Sequence, residues 1–257
     1  RDSNKCVANW LSVVMSPDAR RRCNIRYMNA TRIKCSESLY SLAMTAKNNN
    51  DAQQISYPIE QHPEPGETIE VVPGVRWLSM PMPGSLGFIN LYLLRDHYGW
   101  WIVDTGLSNE QTAALWQRIF ATDLKGESVV GVICTHMHPD HIGQARMITE
   151  QFQCPLYMTR GEYYQARTFA NGSSDSHSSW IGQQFYKRAG MPADYLEQIS
   201  KMWSQRASEG MSMPTLPGGY ERLVDGQVLR IGDNDWRVVV GSGHSPEHAC
   251  LYSSALK

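Results

Sequence analysis

Along this 257-residue chain, apolar positions fall into a regular pattern from Ile69 onward. Residues 69–72 and 75–80 are short β-prone runs on either side of Pro73-Gly74, and residues 88–95 (Phe-Ile-Asn-Leu-Tyr-Leu-Leu-Arg) read as a buried strand. Tyr98-Gly99 turns the chain and residues 100–103 return as another strand. The spacing predicts an antiparallel meander ending at Asp104-Thr105-Gly106. Ala113, Leu115, Trp116, Ile119 and Phe120 then form an apolar stripe at helical spacing, with Ser108 or Asn109 as the cap. Residues 128–134 are almost continuously apolar, as in a strand covered on both faces. A helix is expected over 142–152 and a strand over 155–159.

Residues 161–218 change character. Helices are expected over 180–189 and 193–207, with a breaker stretch at 171–179 and a close at Pro214 to Gly219. Strands resume at 227–231, turn at Gly232-Asp233-Asn234-Asp235, and continue at 236–240 and 248–252. No internal repeat occurs at solenoid periods. Strands, then helices, then strands fit two sheets with helices outside them, an α/β architecture.

Composition changes this picture mainly at the N-terminus. The chain is 42% hydrophobic and 19% charged with a formal net charge of −1. Residues 1–43 hold 8 Lys/Arg against 3 Asp/Glu, a net +5, and the remainder is a net −6. The basic head shows no sustained period, so 1–43 is expected to lie outside the core, and 44–67 reads as a flexible, Pro-rich lead-in to a domain over 68–257. Two readings fit the head: sequence upstream of a start at Met44, or an Arg- and Ser-rich organelle transit peptide. The first is favoured by its three cysteines and by Arg1 in place of an initiator Met. No stretch reaches the roughly 18 apolar residues that span a bilayer. Cys134, Cys154 and Cys250 are scattered through the body, which suits a reducing, cytoplasmic compartment, or an organelle if the head is a transit peptide. Cys134 ends an apolar run and is expected to be a core residue rather than a nucleophile.

The strongest chemical signal is His136-Met137-His138-Pro139-Asp140-His141. Three His and one Asp at these offsets arise by chance with a probability on the order of 10⁻⁴ to 10⁻³ over such a chain, so a metal site outranks a decorative surface cluster. In an extended loop alternate side chains point the same way, so His136 and His138 can converge on one ion. Pro139 stiffens the turn, and Asp140 and His141 can address a second ion. Mixed imidazole and carboxylate ligands suit Zn2+, and also Fe or Mn. A second segment, Gly241-Ser242-Gly243-His244-Ser245-Pro246-Glu247-His248, follows another apolar strand and can bring in His244 as a third imidazole. His248 lies near the site or packs at the start of the next strand, with packing favoured. Asp104 is either a turn aspartate or an acceptor that orients the ligand loop or a ligand imidazole. His62, His97 and His177 read as solvated residues.

Together these segments resemble the metallo-β-lactamase-fold superfamily over about residues 68–255. The resemblance rests on Val-Asp-Thr-Gly at Asp104, Thr-His-Met-His-Pro-Asp-His at 135–141 and Gly-His-Ser at 243–245. It implies an αββα sandwich with a dinuclear metal site at one edge and a helical insert at 161–218. By resemblance His136, His138 and His244 hold the first metal, while Asp140, also the candidate catalytic carboxylate, and His141 hold part of the second. The family pattern carries a bridging aspartate and a final histidine further on. No carboxylate or histidine follows His248, so the second half of the sandwich is expected to be incomplete, cut short at Lys257.

The chemistry so implied is hydrolysis of a small-molecule ester, thioester or lactone-like carbonyl, similar to the glyoxalase-II-like and eukaryotic β-lactamase-like members. A phosphodiesterase or ribonuclease of the same fold is the alternative, and the acidic body argues against a nucleic-acid partner. An inactive metal-binding fragment is the non-enzymatic alternative. The insert could overhang the site as a lid, with Tyr163, Tyr164 and Trp180, and also Tyr186 and Trp203, as candidate substrate contacts, although core packing of the insert accounts for most of them.

Overall fold

The computed structural model describes residue 59 and residues 61–170, 180–208 and 214–256. The head 1–43 and the lead-in as far as residue 58 lie outside these, as does the breaker stretch 171–179. Two sheets form the body. The larger has seven strands in chain order: β1 (Thr68–Val72), β2 (Val75–Pro81), β3 (Phe88–Asp96), β4 (Gly99–Val103), β5 (Val129–Ile133), β6 (Leu156–Thr159) and β7 (Glu221–Leu223). The smaller has the order β10 (His248–Tyr252), β9 (Asn234–Gly241), β8 (Val228–Ile231).

The pairing changes direction at β4. β1 to β4 are antiparallel, as a meander of short turns requires. From β4 to β7 all neighbours are parallel, because each connection crosses back over the sheet. The first crossover is α1 (Glu110–Thr122), capped by the Asn109 side chain, which accepts from the Thr112 N–H. α2 (Pro139–Ile142) and α3 (Ala145–Phe152) make the second. The third runs through α4 (Arg160–Ala170), α5 (Trp180–Arg188) and α6 (Ala193–Ser208). Among the described residues no helix is long and apolar enough to cross a membrane.

Strand alternation sorts the core into two layers. Leu91 and Leu93 of β3, Ile102 of β4 and Val132 of β5 face the helices, where they meet Trp116, Ile119, Ile148 and Tyr163. Leu94, Val103 and Ile133 point the other way and pack on Leu229, Ile231, Trp236, Val238 and Leu251 of the small sheet. β5 is therefore covered on both faces, which explains its unbroken apolar run. The layering is helices, large sheet, small sheet. On the outer face of the small sheet Val228, Arg230, Asp235 and Arg237 are exposed, so three of the four expected layers are present among the described residues.

Two expectations need correcting. The end of the lead-in is packed rather than flexible: the Ser79 hydroxyl donates to the Pro63 carbonyl at 2.8 Å, and the His62 ring lies against Phe88 and Trp77. His62 itself is exposed, in line with its reading as a solvated residue, although one side of its ring rests on these aromatics. The helix expected over 142–152 is broken at Gly143 and Gln144. There the backbone presses on the 106–108 turn, and a Cβ on Gly143 would lie 2.3 Å from both the Gly106 carbonyl oxygen and the Ser108 nitrogen.

That contact predicts an outcome. Gly143→Ala must separate two backbone segments, and its urea-unfolding free energy should fall by roughly 1–3 kcal/mol. An unchanged value would mean that the approach of these two loops is not tight.

Candidate metal centre

Three parallel strands end side by side, and each delivers polar residues at its C-terminal end. β4 runs into Asp104, β5 into Thr135–His141 by way of Cys134, and β6 into Arg160-Gly161-Glu162. The C-terminal edge of parallel strands is where open α/β sheets place ligands. The loop after β9 approaches from the small sheet with His244, and the Ala249 N–H donates to the Thr135 carbonyl at 2.9 Å, tying the head of β10 to the histidine loop.

Three imidazoles converge there. His136 Nε2 lies 2.9 Å from His138 Nδ1 and 3.1 Å from His244 Nε2, and His138 Nδ1 lies 3.0 Å from His244 Nε2. Nitrogens bound at about 2.0–2.1 Å to a tetrahedral zinc stand roughly 3.3 Å apart, so this triangle is close to the size such an ion needs. Among the described residues it is the cluster of three or more His, Cys, Asp or Glu side chains fit to hold a metal ion. His136 is buried, His138 half-buried and His244 exposed, so the cluster opens to solvent on the His244 side.

The hydrogen-bond network sets the ring orientations. Asp104 is nearly sealed from water and accepts from the Thr135 N–H at 2.7 Å and the Thr135 hydroxyl at 2.8 Å, while His141 Nδ1 lies 2.7 Å from the same carboxylate. With its proton given to Asp104, the Thr135 hydroxyl can only accept from His136 Nδ1, 3.0 Å away. That assigns the proton of His136 to Nδ1 and leaves the Nε2 lone pair facing the triangle. Thr105 holds the same loop from behind, its N–H and hydroxyl both donating to the His141 carbonyl at 2.8 Å.

Electrostatics separates two kinds of histidine. Burial, reinforced by the neighbouring imidazoles, pushes His136 far below the ordinary histidine value and keeps it neutral. Burial and the nearby His244 lower His138 in the same way. For His141 burial also opposes the charge, but the Asp104 carboxylate and then Asp140 outweigh it and push the ring up to about 10. Burial would raise Asp140, yet its bond to His141 (Oδ2 to Nε2, 3.4 Å) brings it below the usual carboxylate range. Asp140 and His141 thus form an ion pair beside the neutral His136 and His138.

Other candidates fall into place differently. Tyr163 is a core residue and not a lid: it is 2% exposed, its ring stacks on Tyr220, and its hydroxyl donates to the Pro217 carbonyl. Tyr164 and Trp180 are exposed, and Trp180 lines a surface cavity with Gln184, Phe185, Arg188 and Ala189 that includes none of the histidines. His248 heads β10, and its ring stacks on His136 with centroids 4.6 Å apart, so it packs at a strand start and also touches the trio. Burial lowers its pKa. Cys134 is fully buried, its thiol donating to the His141 carbonyl and pushed well above its ordinary value by burial and by Asp104. Sequence reasoning missed Glu162. It is fully buried and accepts the Met137 N–H between His136 and His138. The available signal was its position just beyond β6, at the same edge as Asp104 and His136.

Fold and site define a class: a two-sheet α/β protein with a histidine cluster, fit for a metal ion, at the edge of its parallel strands. The pattern of the Metallo-beta-lactamase superfamily matches residues 84–257, and the chain belongs to that superfamily. It is similar to a beta-lactamase domain protein from Burkholderia ambifaria, with 39% identity, 79% of this chain and 56% of that one covered, and a TM-score of 0.63. A metallo-beta-lactamase family protein from Thermus thermophilus is 24% identical over 70% of this chain and 56% of its own, with a TM-score of 0.54, a likeness of fold. An uncharacterized protein of Aquifex aeolicus is 28% identical over 129 residues, 50% of this chain and 46% of that one. The chain therefore spans about half the length of these relatives.

Two outcomes follow for the metal-free protein. The His141 pair contributes stability that is complete below the ordinary histidine value of 6.5 and is lost as pH rises through about 10. The neutral burial of His136, His138 and His248 works the other way, favouring the fold above 6.5 and costing stability as pH falls below it. Urea midpoints measured in EDTA at about pH 5, 7 and 10 should therefore peak at the middle value, and a midpoint still rising at alkaline pH would contradict the Asp104–His141 pair. Native alkylation mapped by mass spectrometry should leave Cys134 unmodified, whereas rapid labelling would place that thiol at the surface.

Proposed function

We propose that this chain carries the first-metal half of a zinc-dependent hydrolase that cleaves an ester, thioester or lactone-like carbonyl of a small molecule. The observation that carries the reading is the triangle of His136 Nε2, His138 Nδ1 and His244 Nε2, with sides of 2.9, 3.0 and 3.1 Å. Superfamily membership supports it.

These three nitrogens would hold the ion, and Asp140 with His141 would supply part of a second position, with Fe or Mn as other occupants. An ion held by these residues would supply Lewis-acid activation of water and of a carbonyl oxygen. The residues of the chain do the rest. Neutral His136 and His138 present lone pairs without first losing a proton. Thr135 fixes the tautomer of His136, and Asp104 fixes the ring of His141. Asp140, ionised beside His141, is the carboxylate that can take up a proton at the edge of the site. A cation at the second position would compete with the proton that Asp104 and Asp140 hold on His141. Exposed His244 marks the side from which substrate arrives. No serine or cysteine nucleophile is required, in keeping with the buried Cys134. The free cysteines Cys134, Cys154 and Cys250 suit a cytoplasmic setting.

Metal analysis joined to a substrate panel tests the proposal. The wild-type chain should retain zinc through dialysis, and His136→Ala should lose the first-site metal; equal metal content in the two would refute the ligand assignment. Turnover of carbonyl esters or thioesters supports the reaction proposed. Cleavage of phosphodiesters alone favours the nuclease alternative, and bound metal without turnover the non-enzymatic one.

A further inference from the structure

The imidazole triangle is shared between two sheets. His136 and His138 follow β5 of the large sheet, and His244 follows β9 of the small one. Its size therefore depends on what holds these two loops at a fixed separation.

Glu162, at the start of α4, touches both. Its side chain is fully buried. One oxygen accepts the Met137 N–H at 2.9 Å, between His136 and His138. The other accepts the Glu247 N–H at 2.7 Å, three residues beyond His244. Glu247 reciprocates, its Oε2 accepting the Gly161 N–H at 2.7 Å while its carbonyl accepts from the Thr159 hydroxyl at 2.8 Å. The approach is close: a Cβ on Gly161 would lie 3.0 Å from the Glu247 carboxylate carbon and from Oε2. Both Glu162 oxygens are engaged by backbone donors, so this carboxylate works as a link between loops. A carboxylate is the group that can do this, because it offers acceptors in two directions and no donor. The isosteric amide would turn an NH2 group toward one of the two N–H groups and leave that donor unpaired.

We propose that Glu162 and Glu247 form a reciprocal carboxylate clamp that sets the spacing of the two histidine loops and thereby the metal affinity of the site. Glu162 is a positioning residue in this scheme. The proposal rests on the metal-centre reading above.

The test is chelator competition for Zn2+ and Co2+ on the 257-residue chain and its Glu162→Gln and Glu247→Ala variants. It is paired with the Co2+ visible spectrum and with melting temperatures in EDTA and in saturating metal. Glu162→Gln should weaken binding roughly 10–100-fold and change the cobalt bands. Glu247→Ala should weaken it by a smaller factor, and the double variant should lose no more than Glu162→Gln alone. The metal-induced rise in melting temperature should shrink in step with the affinity. A purely structural role lowers both melting temperatures together and leaves affinity and cobalt spectrum at wild-type values, which overturns the clamp. If Glu162→Gln does not fold, the half-buried Glu247 decides: wild-type affinity in Glu247→Ala overturns the proposal, and weaker affinity supports it. A wild-type chain that binds neither metal removes the metal centre and the clamp together. A wild-type chain that binds, with variants that bind equally well, removes the clamp alone.

Discussion

A single buried carboxylate, Asp104, sets the geometry around which the site is built. It is 3% exposed and its backbone sits at φ 62°, a left-handed conformation that a non-glycine residue adopts at some cost. The surrounding hydrogen bonds offset that cost, since the Thr135 N–H, the Thr135 hydroxyl and His141 Nδ1 all close on the one side chain. At so buried a position the Thr135 N–H and the His141 Nδ1–H would otherwise lack a partner of this strength. Consequences run outward from there. The Thr135 proton is committed to Asp104, so His136 must donate to Thr135, and its other nitrogen must face His138 and His244. A ring orientation at the triangle is thus decided by a side chain that does not reach it.

The same carboxylate divides the histidines by charge. His136 and His141 lie close, with ring centroids 3.8 Å apart, yet they are driven in opposite directions. Desolvation governs His136, which has other imidazoles around it. His141 is also desolvated but stands between Asp104 and Asp140, and the two carboxylates prevail. His136 and His138 are kept neutral, whereas the neighbouring pair has satisfied its own charge. The opposite charge states of these two neighbouring rings come from this contrast between burial and paired charge.

The trio also depends on how two sheets meet. Val103, Leu94 and Ile133 pack against Trp236, Val238 and Leu251, and this apolar layer brings the β9 loop to the end of β5. Burial of this kind is strong but carries little direction. Direction comes from the polar contacts at the rim, where Ala249 bonds to Thr135 and Glu162 and Glu247 join the two loops. α4 plays two parts accordingly: Tyr163 and Ala166 anchor it in the core, and Glu162 one residue earlier reaches the histidine loops.

Much of this was legible in the linear pattern. The meander, the doubly covered β5, the capped α1 and the His136–His141 cluster are legible from local periodicity and side-chain density, and His244 from the glycine-flanked segment that carries it, because alternation and side-chain chemistry are properties of neighbouring residues. The packed end of the lead-in and the break at Gly143 were not legible, since each is decided by residues distant in the chain. Glu162 read as one more polar residue of a helical insert, and only the fold brings Met137 and Glu247 to its two oxygens. The sequence by itself determined which side chains are available to bind a cation. The tertiary structure alone decided which nitrogen of each ring faces the others, which histidine is charged and what ties the loops together, because those depend on burial and on hydrogen bonds between segments up to 108 residues apart.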